Sequence, residues 1–295
     1  MPTLKEIKSR IGSVQNTLKI TSAMKLVSSA KLRKAQAAIE SMRPYQQKLQ
    51  EILALASGGS SGNKAVFPDG GAPDSGLSGN KAVFPDRDVV LVAMASNSSL
   101  CGGFNANAIA KAKEVLREHP GATVYSIGRK MADAMRKAGY PSPKDFTALS
   151  ERPSYAPVSE LVDKFIDDDV DVILVYNHFV STGKQVPVAE PLISSVILSD
   201  SEESSSTEGD DDVIIEPSKK ELLESLYPKT LKIKLFAALL DSAAAEHAAR
   251  TVAMQTATDN GEDLLAELTL QYNKGRQQKI TNEILDLAGG QQARD

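Results

Sequence analysis

The sequence predicts an α/β protein with a mostly parallel sheet and two long terminal helices paired with each other as an antiparallel coiled coil. Three observations predict it. Both ends repeat apolar residues at alternating spacings of three and four, and the middle alternates apolar strand runs with helix patterns. Two stretches of turn-forming or acidic composition separate these regions. The expected segments are an N-terminal helix over 1–56, an insert over 57–86, the α/β domain over 87–198, an acidic loop with the residues that follow it over 199–217, and a C-terminal helix over 218–295.

From Lys5 to Ala56 the chain holds one Pro, Pro44, and one Gly, Gly12, while Leu4, Ile7, Ile11, Val14 and Leu18 trace one face. At ~1.5 Å per residue a helix of this length spans about 75 Å, more than the width of a domain of this size. It therefore needs a partner outside the globular part. The C-terminal segment supplies one: no Pro follows Pro228, and Leu231, Leu235 and Leu239, then Ala245, Ala249 and Val252, then Leu264, Leu268 and Tyr272, then Ile280, Ile284 and Leu287 return to one face. A period near 3.5 in both segments predicts left-handed supercoiling. Either direction is topologically open to helices joined by a whole domain, and the antiparallel one lets that domain sit to one side. Small residues from Ala243 to Ala249 let the axes approach closely.

Residues 1–50 carry ten Lys or Arg against two Glu, although the whole chain has a formal net charge of −4. A solvated helix face explains such a run, and so does a protein partner with acidic loops. Nucleic acid ranks below both, because only Tyr45 interleaves the basic stripe with an aromatic ring. A hydrophobic content of 41% supports a sizeable core, and the single cysteine, Cys101, excludes an internal disulfide and fits a reducing compartment. With no apolar run of membrane-spanning length and no signal-type N-terminus, the chain reads as soluble, with any membrane association made through partners.

In the insert the nonapeptide SGNKAVFPD occurs twice, at 61–69 and 78–86, which reads as a surface loop rather than a solenoid. The α/β region then gives strands at 89–93, 123–127 and 172–176, helices at 106–118, 130–137 and 159–166, and an edge strand within 186–198. Residues 199–212, with seven acidic side chains and no basic one, read as a solvated loop.

The search for chemistry returns little. His119, His178 and His247 form no metal pattern, and no HExxH, CxxC or Walker-type phosphate loop occurs. The strand-to-helix turn SNSSLCGGFN imitates a nucleophile elbow or a phosphate cradle, yet it is neither GxSxG nor GxGxxG. It reads as a tight turn packed by Leu100 and Phe104, and Cys101 has no basic neighbour in sequence to activate it. No cofactor is expected.

Two terminal motifs carry a resemblance. The N-terminal one is IKSRIGSVQNTLKITSAMKLV, Ile7 to Val27; the C-terminal one is AEHAARTVAMQTATDN, Ala245 to Asn260, followed by YNKGRQQKITNEILD, Tyr272 to Asp286. With LCGGFN and VYNHF in the middle, the chain resembles the γ subunit of the F-type ATP synthase, the central stalk of a rotary motor, over nearly its whole length outside the two loops. That resemblance implies an antiparallel coiled coil inside a hexamer of α and β subunits and a Rossmann-like α/β domain contacting the ε subunit and the c ring. It also implies a non-catalytic role coupling proton-driven rotation to ATP synthesis, at the cytoplasmic face of a bacterial inner membrane. Carried over residue by residue, it places the β-subunit contact at Met24, Lys25, Arg276, Gln277, Thr281 and Glu283, and the c-ring foot near Glu216. The intramolecular alternative is that Thr281 and Glu283 bond across the coiled coil. Gly275 stands where Ala is common in relatives, implying a helix weaker there by about 1 kcal/mol and a more compliant shaft.

Overall fold

The computed structural model describes residues 3–56, 88–193 and 218–292. The duplicated nonapeptide, the acidic loop and Glu216 lie outside them. Helix α1 (Leu4–Ala56) opens the chain, followed by β1 (Val89–Met94), α2 (Phe104–Glu118), β2 (Thr123–Ile127), α3 (Arg129–Lys137), α4 (Thr147–Glu151), α5 (Tyr155–Asp167), β3 (Asp171–Ser181), β4 (Lys184–Ile193) and α6 (Lys219–Gln292). The chain divides into two compact units, residues 29–250 and the helix ends 1–28 with 251–295.

In the larger unit the sheet order is β2-β1-β3-β4. Strand β1 pairs in parallel with both β2 and β3, and only the last pair, β3 with β4, is antiparallel. This is the mostly parallel sheet that the alternation of strands and helices predicts. The two inner strands are continuous apolar runs because both of their faces are covered. Val90, Val92 and Met94 of β1 pack with Val172, Leu174 and Tyr176 of β3 against α5 and the start of α6. Leu91, Ala93, Ile173 and Val175 point the other way, onto α2 and α3. Pro187 and Pro191 sit on β4, the edge strand, where a missing N–H costs least.

Between β2 and α3 the chain turns at Gly128 with φ +97, and a Cβ there would lie 2.0 Å from the Ala95 carbonyl oxygen, so only glycine fits. The middle of α6 also lies against α1: Ala244 and Ala248, both fully buried, receive Leu32, and Leu49 meets Ile233. The small side chains there allow the close approach that the alanine run predicts.

The strand-to-helix turn departs from expectation in one respect. Leu100 does not pack; it adopts φ +66 and is 57% exposed. Cys101 takes its place, buried with Phe104 against Ala245 and Ala249 of α6. Left-handed backbone at Leu100 and at Gly102 brackets Cys101, with residue 101 inward and residue 100 out to solvent.

Candidate functional site

All six predicted contact residues fall in the smaller unit, which consists of the first part of α1 and the last part of α6. The least exposed positions on α1 there are Leu4, Ile7, Ile11, Val14, Leu18, Thr21, Lys25 and Ser28, spaced alternately by three and four. On α6 the matching series is Met254, Thr258, Gly261, Leu265, Leu268, Tyr272 and Gly275. Both are unbroken heptad seams.

Cross-contacts set the direction and register. Lys25 Nζ donates to Gln255 Oε1 at 2.7 Å, and Thr258 Oγ1 donates to Thr21 Oγ1 at 3.0 Å. Leu18 lies over Gly261 and Leu4 over Gly275. Each step up α1 is a step down α6, so the pair is antiparallel. The two leucines are fourteen residues apart, as are the two glycines, so the same knob-on-glycine contact repeats after two heptads.

The seam on α6 is not quite the predicted one. Leu268 and Tyr272 lie on it, whereas Val252, Leu264, Ile280 and Ile284 are exposed. A pattern read from large apolar side chains passes over Thr258, Gly261 and Gly275, which occupy seam positions because the facing helix fills them. Ile280 and Ile284 lie past Gly275, opposite the first residue of α1, and every side chain described from Arg276 to Leu285 is exposed.

Met24 and Lys25 are half-buried on α1, while Arg276, Gln277, Thr281 and Glu283 are exposed on α6. The structure therefore keeps them as two groups along one unit. The expectation that Thr281 and Glu283 bond across the coiled coil is not met. Thr281 Oγ1 donates to the Gln277 carbonyl of its own helix at 2.9 Å, and Glu283 pairs loosely with Lys279 at 3.7 Å. Lys25 is the one that bonds across, extending through Gln255 Nε2 to Asp259 Oδ1 at 2.6 Å.

Sequence reasoning missed the apolar surface beside Met24 and Lys25. Ile20, Leu26 and Val27 are 60%, 65% and 57% exposed on α1. Leu270 on α6 is 72% exposed. The signal was available: Ile20, Leu26 and Val27 are apolar positions that do not fall on the heptad seam of their helix.

The rest of the molecule holds no competing chemistry among the described residues. No group of three or more potential metal-ligating side chains comes together. Cys101 Sγ accepts a hydrogen bond from Asn105 Nδ2 at 3.1 Å, and the same Asn105 accepts from the Ser96 backbone and hydroxyl, so the thiol is packed into a structural turn. Arg250 fastens that turn to α6, donating to Ser98 Oγ at 2.8 Å and to Glu246 at 2.7 Å.

A long antiparallel two-helix stem whose helices also pack on an α/β domain, with exposed apolar and charged positions off its seam, defines a stalk protein. The family model described as ATP synthase matches residues 3–293. The chain is 44% identical to the ATP synthase gamma chain of Phocaeicola vulgatus, over 99% of this chain and 100% of that one, and 43% identical to that of Bacteroides fragilis over equal shares. Among solved structures, a chain of the Euglena gracilis mitochondrial ATP synthase, described as OSCP, F1 and c-ring, has the same fold at TM-score 0.70 and 19% identity, covering 98% of this chain and 94% of that one. This chain belongs to the ATP synthase gamma-chain family. Its role is that of the central rotor shaft, a non-catalytic subunit of the peripheral F1 part.

Proposed function

We propose that Met24 and Lys25 on α1, with Arg276, Gln277, Thr281 and Glu283 on α6, form the surface through which the shaft passes torque to the catalytic β subunits. The partners in this reading are the α and β subunits around the stem, with ε and the c ring at the foot near Glu216. The assembly works at the cytoplasmic face of a bacterial inner membrane, to which the chain is held by its partners. Among the described residues no helix is long and apolar enough to cross a membrane.

The observation that carries the reading is the exposure of Ile20, Leu26 and Val27 on the stretch of α1 that carries Met24 and Lys25, with Ile20 and Val27 on the face of Met24. Clustered exposed apolar side chains on a stable coiled coil mark a partner surface. A rotating surface must also release its partners. The charged members suit this, since exposed ion pairs contribute at most about 1 kcal/mol each and are readily exchanged. The seam is continuous and mostly apolar, with Lys25 as its link to this surface, so contacts can form and break outside while the two helices stay paired.

Co-assembly tests the reading. The full chain, mixed with α and β from the same source, is expected to form a soluble complex with ATPase activity that it lacks alone. Well-folded components that do not assemble would redirect the surface to another acidic partner.

A further inference from the structure

In the larger unit a half-open cavity of about 250 Å³ lies between α1, the β3–β4 hairpin and α6. It has no part in the stem contacts. Its polar lining comes from four elements: Arg43 and Gln46 on α1, Tyr176 and His178 on β3, Glu190 on β4, and Lys234 and Asp241 on α6.

The hydrogen-bond balance of this lining is uneven. Asp241 is spent on both oxygens, one accepting from the Phe179 backbone N–H at 3.1 Å and the other paired with His178 Nδ1 at 2.6 Å. Glu190 Oε1 accepts from the Tyr176 hydroxyl at 3.1 Å. The donors are less used. Lys234 is only 8% exposed and donates to the Pro191 carbonyl at 2.8 Å, leaving two of its three N–H groups. His178 retains Nε2, and Arg43 makes no ion pair among the described residues.

We propose that this cavity is a binding site for a small tetrahedral oxyanion of the phosphate class, held by Arg43, Lys234 and the Nε2–H of His178. With His178 protonated, three cations face two carboxylates that are already engaged, so a monoanion brings the site to neutrality. Burial works against the charge on Lys234 and lowers its pKa, and a bound anion would offset that cost. Asp241 works the other way on His178, raising its pKa and favouring the charged ring. An anion held by these three groups would tie α1, β3 and α6 together.

The test uses the full chain with its histidines labelled for NMR, titrated with inorganic phosphate and, separately, with sulfate, whose charge does not change near neutral pH. Only three histidines are present, and His178→Gln assigns the ring signal. The expected result is a saturable shift of the His178 ring with either anion, stronger at pH 6 than at pH 8 for sulfate. Arg43→Gln is expected to weaken saturation tenfold or more. Arg43 is exposed, so that variant keeps its fold even if Lys234→Met does not. Lys144→Gln, which removes a cation from a different cleft, is expected to leave binding unchanged. A shift that never saturates, or that saturates equally in Arg43→Gln, would reduce the effect to ionic strength and overturn the proposal.

Discussion

Replacing Gly261 with Ala sets two opposing effects against each other at one atom. In a helix interior the change gains about 1 kcal/mol from backbone propensity. Against this, the new Cβ would lie 2.7 Å from Leu18 Cδ2 and 3.3 Å from Leu18 Cγ. Rotating χ2 can move the terminal methyl, but the crowded Cγ requires a shift of the whole side chain or of the helix axis. Overpacking of this kind costs about 1–3 kcal/mol, so the net expectation is a loss of up to about 2 kcal/mol. Two other glycines in the same unit calibrate it. Gly12→Ala meets nothing within 4 Å and should keep the full gain. Gly275→Ala would come within 3.0 Å of Leu4 Cδ2 but 3.8 Å of its Cγ, and Leu4 opens α1, so it should be near neutral. Amide hydrogen exchange across residues 7–21 reads the order, since 1 kcal/mol is about a fivefold change in protection. Leu18→Ala in the Gly261→Ala background removes the clash and should recover the propensity gain, giving a coupling of at least about 1 kcal/mol between the two sites. If Gly261→Ala protects the helices as much as Gly12→Ala does, the knob-on-glycine contact does not set the register.

Met24→Lys places a second cation beside Lys25 in the proposed torque surface, and ATP-driven proton pumping by membrane vesicles should fall several-fold while assembly and ATPase activity stay near normal; equal pumping would remove Met24 from the contact. Two histidines give pH dependences of opposite sign. Burial, helped by Arg250 and Lys31, holds His247 down to about 4, so it costs stability as pH falls from its ordinary value of about 6.5 and no more below about 4; in His247→Gln that acid-side slope in thermal midpoint should flatten. His178 is held above its ordinary value by Asp241, so its contribution is present in full below about 6.5 and is lost as pH rises through the raised value; His178→Gln should remove the loss on the alkaline side. Cys101→Ser should leave the ATPase activity of the assembled complex unchanged, because the thiol packs and makes only local turn contacts, accepting from Asn105 and donating to the Ser98 carbonyl, at a cost near 1 kcal/mol in unfolding.

How much of this was legible in the sequence depends on what each residue faces. The sheet was, because β1 and β3 are covered on both sides and must be continuous apolar runs; 89–93, 123–127 and 172–176 are the cores of three strands. Leu4 to Leu18 was too, since one helix face meets one partner. On α6 the reading slipped. Leu264 and Leu265 are adjacent, and only the facing helix decides which enters the seam. Gly261 looks like a helix defect until Leu18 is found on top of it. The ion pair of His178 with Asp241, 63 residues apart, carries no local signature at all. The proposed contact residues rest on resemblance, since nothing in the spacing of Arg276, Gln277, Thr281 and Glu283 distinguishes them from a solvated helix face.

The two units hold themselves together by different physics, and the difference suits a shaft. In the larger unit the middle of α6 is fixed by nearly buried charged groups: Arg250 on Glu246 and Ser98, Asp241 on His178 and the Phe179 N–H, and Lys234 on Pro191 O. Removing one partner of such a contact strands the other at several kcal/mol, so α6 has one position there. In the smaller unit the seam is built from Leu, Ile and Val with threonines and glycines, and its polar cross-links, Lys25 to Gln255 and Thr258 to Thr21, are individually weak. A helix pair of that kind keeps its register through shape at Leu18 and Leu4 while its outer surface stays free to exchange partners. Stiffness then belongs to the seam, anchorage to the buried charges around α6, and the proposed contact to side chains off the seam apart from Lys25, which sits on the seam and joins the two roles; outside Lys25, each of the three can be altered by substitution with little effect on the others.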